Sequence, residues 1–149
     1  LVGNYCQMDY KAAWDKLGEY CRKHRLDFGC PDAEYINVYH DNPVTTPAGE
    51  CRADVCIAAS VVDSMKPDGE VDIITIYGGR FLVYRYQGPY DQLGEVNAKV
   101  YGELFPKSGQ KWKVGEGVLE HCQMFERYLN DPETTEPKDL LTEIWIPIE

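Results

Sequence analysis

The chain has 149 residues, of which 44% are hydrophobic, and its 15 basic and 25 acidic residues give a formal net charge of -10. This length and apolar content predict a single globular domain over residues 1–149, able to bury about two-thirds of the surface that its unfolded chain exposes. The negative charge would repel a phosphate backbone, so it argues against nucleic-acid binding by this segment and favours a cationic ligand or a basic protein surface.

The first half of the chain predicts one helix and two strands. Tyr10, Trp14, Leu17 and Cys21 recur at helical spacing, which predicts an amphipathic helix that ends near His24. The alternating residues YINVYHD predict a strand, and the NPVTTPAGE stretch after it is rich in turn-forming residues. RADVCIAASVV then predicts a buried strand, which ends at KPDGE.

The second half predicts three kinds of element in succession. VDIITIYGGRFLVYRYQG predicts two strands joined at a Gly-Gly pair, which is a hairpin signal. A second helix follows, because Tyr90, Leu93, Val100 and Leu104 share one helical face. PKSGQKWKVGEG predicts a loop, and the closing stretch predicts two more strands.

The two halves repeat each other. At an offset of 85 residues the GNY of Gly3 to Tyr5 aligns with the GPY of Gly88 to Tyr90. At an offset of 89 residues five identities recur, which pair Tyr39, Pro43, Thr45, Thr46 and Ile57 with Tyr128, Pro132, Thr134, Thr135 and Ile146.

This repeat predicts an α+β fold made of two tandem βαββ units, residues 1–63 and residues 70–149. We expect the units to be related by a pseudo-twofold axis, with both helices on one side of an antiparallel sheet and a cleft where the halves meet. The first strand of the first unit is missing or begins before Leu1.

Glu126 is an acid between aromatic residues in the predicted strand FERYL. Strand alternation places Glu126 and Tyr128 on the same face. The repeat aligns Glu126 with Asn37, whereas Tyr128 aligns with the identical Tyr39. An ordinary solvated glutamate is the simpler interpretation, but the break from amide to acid within a repeat favours a special role.

The sequence lacks the motifs of several common classes of functional site. The six cysteines have no paired CxxC spacing and the three histidines are scattered, so we expect reduced thiols, no metal site and no cofactor. There is no phosphate-binding glycine loop and no GxSxG motif. No apolar run approaches the roughly 20 residues of a membrane span and nothing resembles a signal peptide, which predicts a cytoplasmic protein without membrane contact.

GRFLVYRYQGPYDQLGEVNAKVYGELFPKSG, followed by FERYLNDPETTEPKDLLTEIWIPI, resembles the GyrI-like domain, also called the AraC-type effector-binding domain of the SOUL/GyrI-like superfamily. In the first half, INVYHDNPVTTPAGECRADVCI is similar to the Tyr-x-Asp-x-Pro and Arg-x-Asp stretch of that family. The resemblance runs from Gly3 to Ile148. It implies a tandem βαββ fold whose central cleft takes hydrophobic, often cationic, small molecules.

The same resemblance implies roles for individual residues. The pocket glutamate in the family's Phe-Glu-x-Tyr motif falls on Glu126, and Trp145 stands at the tyrosine position of its closing Thr-Glu-Ile-Tyr-Ile-Pro motif. Tyr86 stands where the family often has histidine, which argues against any role that needs an imidazole there. Core packing is the competing interpretation for Trp14 and Tyr86. The predicted ligand-binding residues are Glu126, Trp145, Tyr39, Tyr128, Asn37, Tyr86 and Trp14.

The resemblance favours one function and leaves two others open. It predicts the small-molecule effector-binding domain, of a multidrug-sensing kind, of a bacterial AraC-type transcription regulator, with DNA contact through a separate upstream domain and a homodimer left open. The first alternative is a stand-alone hydrolase of strained-ring compounds with Glu126 as acid or base. The second is a protein-interaction module similar to the gyrase inhibitors of this family.

Overall fold

The structure, a computed structural model, describes residues 1–26, 31–60, 65–76, 78–113 and 124–149. The protein is α+β, with a five-stranded antiparallel sheet and two main helices. The helices are α1 (Tyr10–Lys23) and α2 (Leu93–Lys99). The strands are β1 (Glu34–Tyr39), β2 (Ala53–Ala58), β3 (Arg80–Gln87), β4 (Met124–Tyr128) and β5 (Leu141–Ile148).

Helix α1 is stabilised at both of its ends. The side chain of Asp9, the N-cap, accepts a hydrogen bond from the Ala12 N–H at 2.9 Å and so satisfies one of the free donors of the first turn. Arg22 and Lys23 lie in the last turn, where positive charge complements the helix dipole. The sequence prediction of a helix that ends near His24 is confirmed.

The helical segment that begins with α2 extends beyond its regular α-helical part. It continues through a π-helical segment, Val100–Leu104, into a last turn, Phe105–Lys107. The second predicted helix is therefore confirmed, although Tyr90 lies before it in a 3-10 turn, Tyr90–Gln92. Within the described ranges, no helix has the length and apolar character that crossing a membrane requires.

The strands lie in the order β2-β1-β4-β5-β3, and every neighbouring pair is antiparallel. Asn37 is the register partner of Glu126, and Glu126 is the register partner of Ile144, so these three side chains share one face of the sheet. Both helices contribute to the core on that face. Its buried members are Tyr39, Ala53, Val100, Met124, Ile144 and Ile146, and Tyr10 and Val96 pack against them.

The opposite face carries a smaller apolar cluster. Ile36, Val38 and Phe125 are buried there, and Phe81 and Trp145 pack against them. The rings of Phe125 and Trp145 stack with centroids 5.3 Å apart. Side chains thus cover both faces of the central strands. For this reason Glu126 on one face and Phe125 on the other are both buried.

The hairpin predicted around the Gly-Gly pair is wrong. Only its second strand forms, as β3, whereas residues 71–76 have no strand structure. The Asp68 side chain instead accepts hydrogen bonds from the N–H groups of Glu70 and Val71, and Asp72 bonds to the N–H of Ile73, so aspartates compete with a ladder for these donors.

Some predictions fall on residues outside the described ranges. Residues 114–123 include the end of the predicted loop together with His121 and Cys122. Residues 61–64 include the predicted end of the first unit, so the division into residues 1–63 and 70–149 stays a prediction.

Equivalent hydrogen bonds recur in the turns of the two halves. The side chain of Asp41 accepts from the Arg52 N–H at 2.8 Å, and 89 residues later that of Asn130 accepts from the Leu141 N–H at 2.9 Å. In the turns that follow β1 and β4, Asn42 and Asp131 likewise each accept the N–H two residues on.

The start of the chain also has a counterpart. The Gly3 N–H donates to the Cys51 carbonyl at 2.8 Å, as the Gly88 N–H donates to the Leu140 carbonyl at 2.9 Å. Next to these bonds, Val2 and Arg52 form an isolated antiparallel bridge. This bridge corresponds to the last register pair between β3 and β5. The beginning of the described chain therefore lies on β2 in the way that the end of β3 lies on β5.

Candidate functional site

The site is built around the carboxylate of Glu126, which is 1% exposed at the centre of the sheet. The hydroxyls of Tyr39 and Tyr128 donate to its Oε2 atom at 2.8 and 2.7 Å, and the side-chain amide of Asn97 donates to Oε1 at 2.7 Å. All three donors are neutral. Within the described ranges, no lysine, arginine or histidine forms an ion pair with Glu126.

Three different elements position these donors. Tyr128 stands two residues after Glu126 on β4, so strand alternation puts it on the same face. Tyr39 comes from the neighbouring strand β1, and Asn97 from α2, which covers this face. The carboxylate is therefore reached from its own strand, from the adjacent strand and from the helix above it.

The two tyrosines remain hydrogen-bond donors at neutral pH. Burial is the largest cause that raises the pKa of Tyr39 well above its ordinary value, and the negative charge of Glu126 raises it further. The same two causes, in the same order, act on the pKa of Tyr128. Neither hydroxyl loses its proton, so both continue to stabilise the carboxylate.

Further aromatic rings surround the two tyrosines. The rings of Tyr5 and Tyr39 meet edge to face with centroids 5.1 Å apart, and those of Tyr90 and Tyr128 lie 5.3 Å apart. Trp14 from α1 approaches Tyr128 at 6.5 Å. These separations are typical of favourable aromatic pairs.

Four buried side-chain oxygens near Glu126 have no hydrogen-bond partner within the described part of the chain. They are Oδ1 of Asn37, Oδ1 of Asn97, Oγ1 of Thr142 and the Tyr10 hydroxyl. Asn37 is the register partner of Glu126, and Thr142 is the register partner of Tyr128. Buried polar groups are nearly always paired, so this concentration of unpaired oxygens around one carboxylate calls for a functional account.

The structure brings most of the predicted site residues together. Asn37, Tyr39 and Tyr128 lie beside Glu126 on one face of the sheet, and Trp14 lies against Tyr128.

Two predicted residues lie elsewhere. Tyr86 is on the same face but on β3, two strands from β4. Its hydroxyl lies 3.2 Å from two acceptors, the Pro89 carbonyl and the side-chain oxygen of Gln92. Trp145 is on the opposite face, because its register partner is Phe125 and not Glu126. The expectation that Trp145 lines a cleft together with Glu126 does not agree with this register.

Asn97 is the site residue that the sequence reasoning missed. It lies four residues after Leu93 and three before Val100, two buried residues of the second helix, so helical periodicity places it on the buried face. A polar amide at a core-facing position of a helix could have identified Asn97 as a candidate site residue. The rings of Tyr5 and Tyr90 were visible only as the repeated GNY and GPY.

The described residues offer no alternative metal chemistry. No group of three or more His, Cys, Asp or Glu side chains in the described ranges is placed to hold an ion. Cys6, Cys21 and Cys51 are free thiols, as expected, and Cys30 and Cys122 lie outside the described ranges.

Comparisons with known proteins agree on the fold. Residues 1–149 match the family described as GyrI-like small molecule binding domain. A DNA gyrase inhibitor from Yersinia enterocolitica serotype O:8 / biotype 1B is 28% identical over 133 residues, which cover 88% of this chain and 77% of the relative. EcmrR in its DNA complex, solved by cryo-electron microscopy as EcmrR-RPo, has a TM-score of 0.67 and 20% identity; the match covers 99% of this chain and 50% of EcmrR, so the chain spans about half of that protein.

Proposed function

We propose that this chain, which belongs to the family of GyrI-like small-molecule binding domains, binds a small organic cation with an apolar or aromatic part, and that Glu126 is its counter-ion. One observation carries the proposal: Glu126 is 1% exposed and is held by three neutral donors. Burying an ionised carboxylate without a positive partner is costly. A cationic ligand supplies the missing charge.

The surroundings of Glu126 favour the same ligand class. Each aromatic face that a cation approaches contributes about 0.5 to 2 kcal/mol of cation–π attraction, which offsets part of the loss of hydration. The formal net charge of -10 raises the concentration of cations near the protein before they bind. Asn37, Tyr39, Tyr128 and Trp14 are the proposed ligand-binding residues beside Glu126.

We further propose that the domain is the effector-sensing part of a bacterial, cytoplasmic, AraC-type transcription regulator of the multidrug-sensing kind. A ligand that binds one arrangement of the domain more tightly would shift the attached DNA-binding domain toward its active state. The acidic charge supports DNA contact through another domain, and the likeness to half of a DNA-bound chain fits that division. A helix-turn-helix segment encoded in the same reading frame is the expected finding, and its absence from the complete gene would contradict this part.

We propose in addition that the fold is a tandem βαββ repeat. Its pseudo-twofold axis would pass between β1 and β4, so that β1 matches β4 and β2 matches β5. The recurring turn hydrogen bonds of the two halves support this symmetry. So does the strand order β2-β1-β4-β5-β3, in which only the counterpart of β3 is represented by the short bridge of Val2.

Glu126→Gln tests the counter-ion. We expect it to weaken the binding of a lipophilic cation such as a rhodamine at least tenfold, because a charge pair in a low-dielectric site contributes more than about 1.4 kcal/mol. Fluorescence anisotropy measures the dissociation constant. Glu143→Gln is the matched control, since this second buried glutamate lies on the opposite face and pairs with Arg85. Equal affinity of Glu126→Gln and the parent protein would contradict the proposal.

Catalysis by Glu126 is a second candidate, favoured by the two tyrosine hydroxyls that meet on one carboxylate oxygen. Such an arrangement suits proton transfer to a strained ring, or from an attacking water to the carboxylate. Incubation with a cyclopropane-containing electrophile tests it, with product formation followed by mass spectrometry. Turnover by the parent and its loss in Glu126→Gln are the expected results for an enzyme, and no turnover by the parent excludes this candidate for that substrate.

Inhibition of DNA gyrase is a third candidate, favoured by the 28% identity to a gyrase inhibitor. Under this hypothesis the acidic surface would bind a basic surface of the enzyme. A supercoiling assay with purified gyrase tests it. Salt-sensitive inhibition would support an electrostatic contact, and full gyrase activity in the presence of excess protein would exclude it.

A further inference from the structure

The unpaired oxygens around Glu126 specify the ligand more closely than its charge does. We infer that the cationic group of the ligand carries N–H donors, as a protonated amine or a guanidinium does, and is not a fully alkylated ammonium. This inference rests on the proposed function, because it assumes that a cation binds at Glu126.

The orientation of the Asn97 amide is fixed by its partner. Its nitrogen must face the Glu126 Oε1 atom at 2.7 Å, because a carboxylate only accepts hydrogen bonds. Its Oδ1 atom is consequently the free end of the amide, and it finds no partner within the described ranges. The Oδ1 atom and the nitrogen of Asn97 are bonded to the same carbon. We therefore expect Oδ1 to accept a hydrogen bond from a group that binds the Glu126 carboxylate.

Asn37 supplies the second acceptor from the neighbouring strand. It is 3% exposed and is the register partner of Glu126, so its side chain leaves the sheet directly beside that of Glu126. Tyr39 stands two residues later on the same face of β1, and its hydroxyl donates to Glu126 at 2.8 Å. The Oδ1 atom of Asn37 has no hydrogen-bond partner within the described ranges.

Thr142 supplies the third acceptor from the other side of β4. It is fully buried on β5 and is the register partner of Tyr128, the second tyrosine that donates to Glu126. Its hydroxyl has no partner within the described ranges. The acceptors thus come from β1, from α2 and from β5, the strand on each side of Glu126 and the helix that covers it.

This arrangement discriminates between two kinds of cation. A protonated amine or guanidinium gives up strong hydrogen bonds to water when it is buried, and acceptors in the site replace them. A tetraalkylammonium has no donor, so it would pair its charge with Glu126 but leave the three oxygens buried and unpaired. A site built to hydrogen-bond its ligand rejects an analogue that lacks the hydrogen-bonding group.

Three ligands that share one hydrophobic arm test the inference. They are 4-phenylbutylammonium, 4-phenylbutylguanidinium and 4-phenylbutyltrimethylammonium, and calorimetry gives the dissociation constant of each. For the parent protein we expect at least one of the two donor-bearing ligands to bind about tenfold or more tightly than the trimethyl compound. Thr142→Val, which removes the hydroxyl but keeps the shape, is expected to reduce this ratio several-fold.

The controls separate the two proposals. Thr134→Val makes the same change at an exposed position and should leave the ratio unaltered. Thermal denaturation verifies that Thr142→Val is folded. A ratio of one or less in the parent, or a ratio that Thr142→Val leaves unchanged, overturns the inference. If Glu126→Gln weakens all three ligands in that case, the counter-ion proposal survives; if none of the ligands binds the parent, both proposals fail.

Discussion

At the scale of single residues, the hydrogen bonds of Glu126 explain how a carboxylate is tolerated in a core. Two hydroxyls and one amide replace the water that the acid loses on folding. Neutral donors stabilise the charge without cancelling it. Under the proposed function a cationic ligand would pair with this carboxylate, whose burial has a cost in stability that a hydrophobic residue there would avoid.

Tyr128→Phe measures one of these donors. We expect it to destabilise the protein by about 1 to 3 kcal/mol, because one hydrogen bond to a buried charged group is lost while its acceptor stays buried. Urea denaturation measures the change. In a Glu126→Gln background the same substitution should cost less, since the acceptor is then uncharged. Equal costs in the two backgrounds would mean that Tyr128 stabilises the fold by packing alone.

At the scale of elements, the connection from β3 to α2 depends on Gly88, which the proposed repeat aligns with Gly3. Gly88 and Gly3 have φ values of 151° and 147°, a range that side chains rarely adopt. A Cβ at Gly88 would also clash with the Tyr86 hydroxyl, whereas a Cβ at Gly3 would meet nothing within 4 Å. The two turns therefore share one backbone geometry but differ in their packing.

This difference predicts unequal effects of alanine. Gly3→Ala should cost about 1 to 3 kcal/mol, because only backbone strain opposes it. Gly88→Ala should cost more, since Tyr86 must also move and lose its bonds to Pro89 and Gln92. The free energies of unfolding in urea provide the comparison. A larger loss from Gly3→Ala would show that the clash with Tyr86 is relieved without cost.

The pairing between strands also limited what the sequence could predict about these elements. Local periodicity was sufficient for α1, for the later helix and for the five strands, and it placed Glu126 and Tyr128 on one face. The family resemblance placed Trp145 in the ligand site, whereas the register puts it on the face opposite Glu126, and neither local periodicity nor a motif fixes the register between β4 and β5. Local periodicity also produced a false strand before β3, where aspartate side chains bond to the backbone instead.

At the scale of the whole molecule, three carboxylates outside the Glu126 site make stability depend on acid. A hydrogen bond from Arg52 is the main cause that lowers the pKa of Asp41, and one from His40 is the main cause for Asp54. Burial alone would raise the pKa of Glu143, but Arg85, Trp145 and the charge of Arg127 together lower it. The interactions of these acids link the ends of β1 to β2 and hold β3 to β5.

A lowered pKa in the folded state means that the unfolded chain binds protons first. The stability from these groups is therefore complete above the unfolded pKa values, about 3.9 for Asp and 4.3 for Glu, and is lost as the pH falls through the lower folded values. We expect the urea midpoint to fall steeply below about pH 4.5 and Glu143→Gln to make this fall shallower. An unchanged pH profile in Glu143→Gln would show that its ion pair with Arg85 contributes nothing to acid stability.

Asn37 and Glu126 are 89 residues apart and are also direct register partners, so the pseudo-twofold axis that we propose would run between them. A homodimer of one unit would necessarily place the same residue twice at that point. Two glutamates there would repel each other, and two asparagines would provide no charge. In the proposed repeat, a fused chain in which each copy can mutate alone would allow a single negative charge on the axis, and the proposed ligand would then have one preferred orientation.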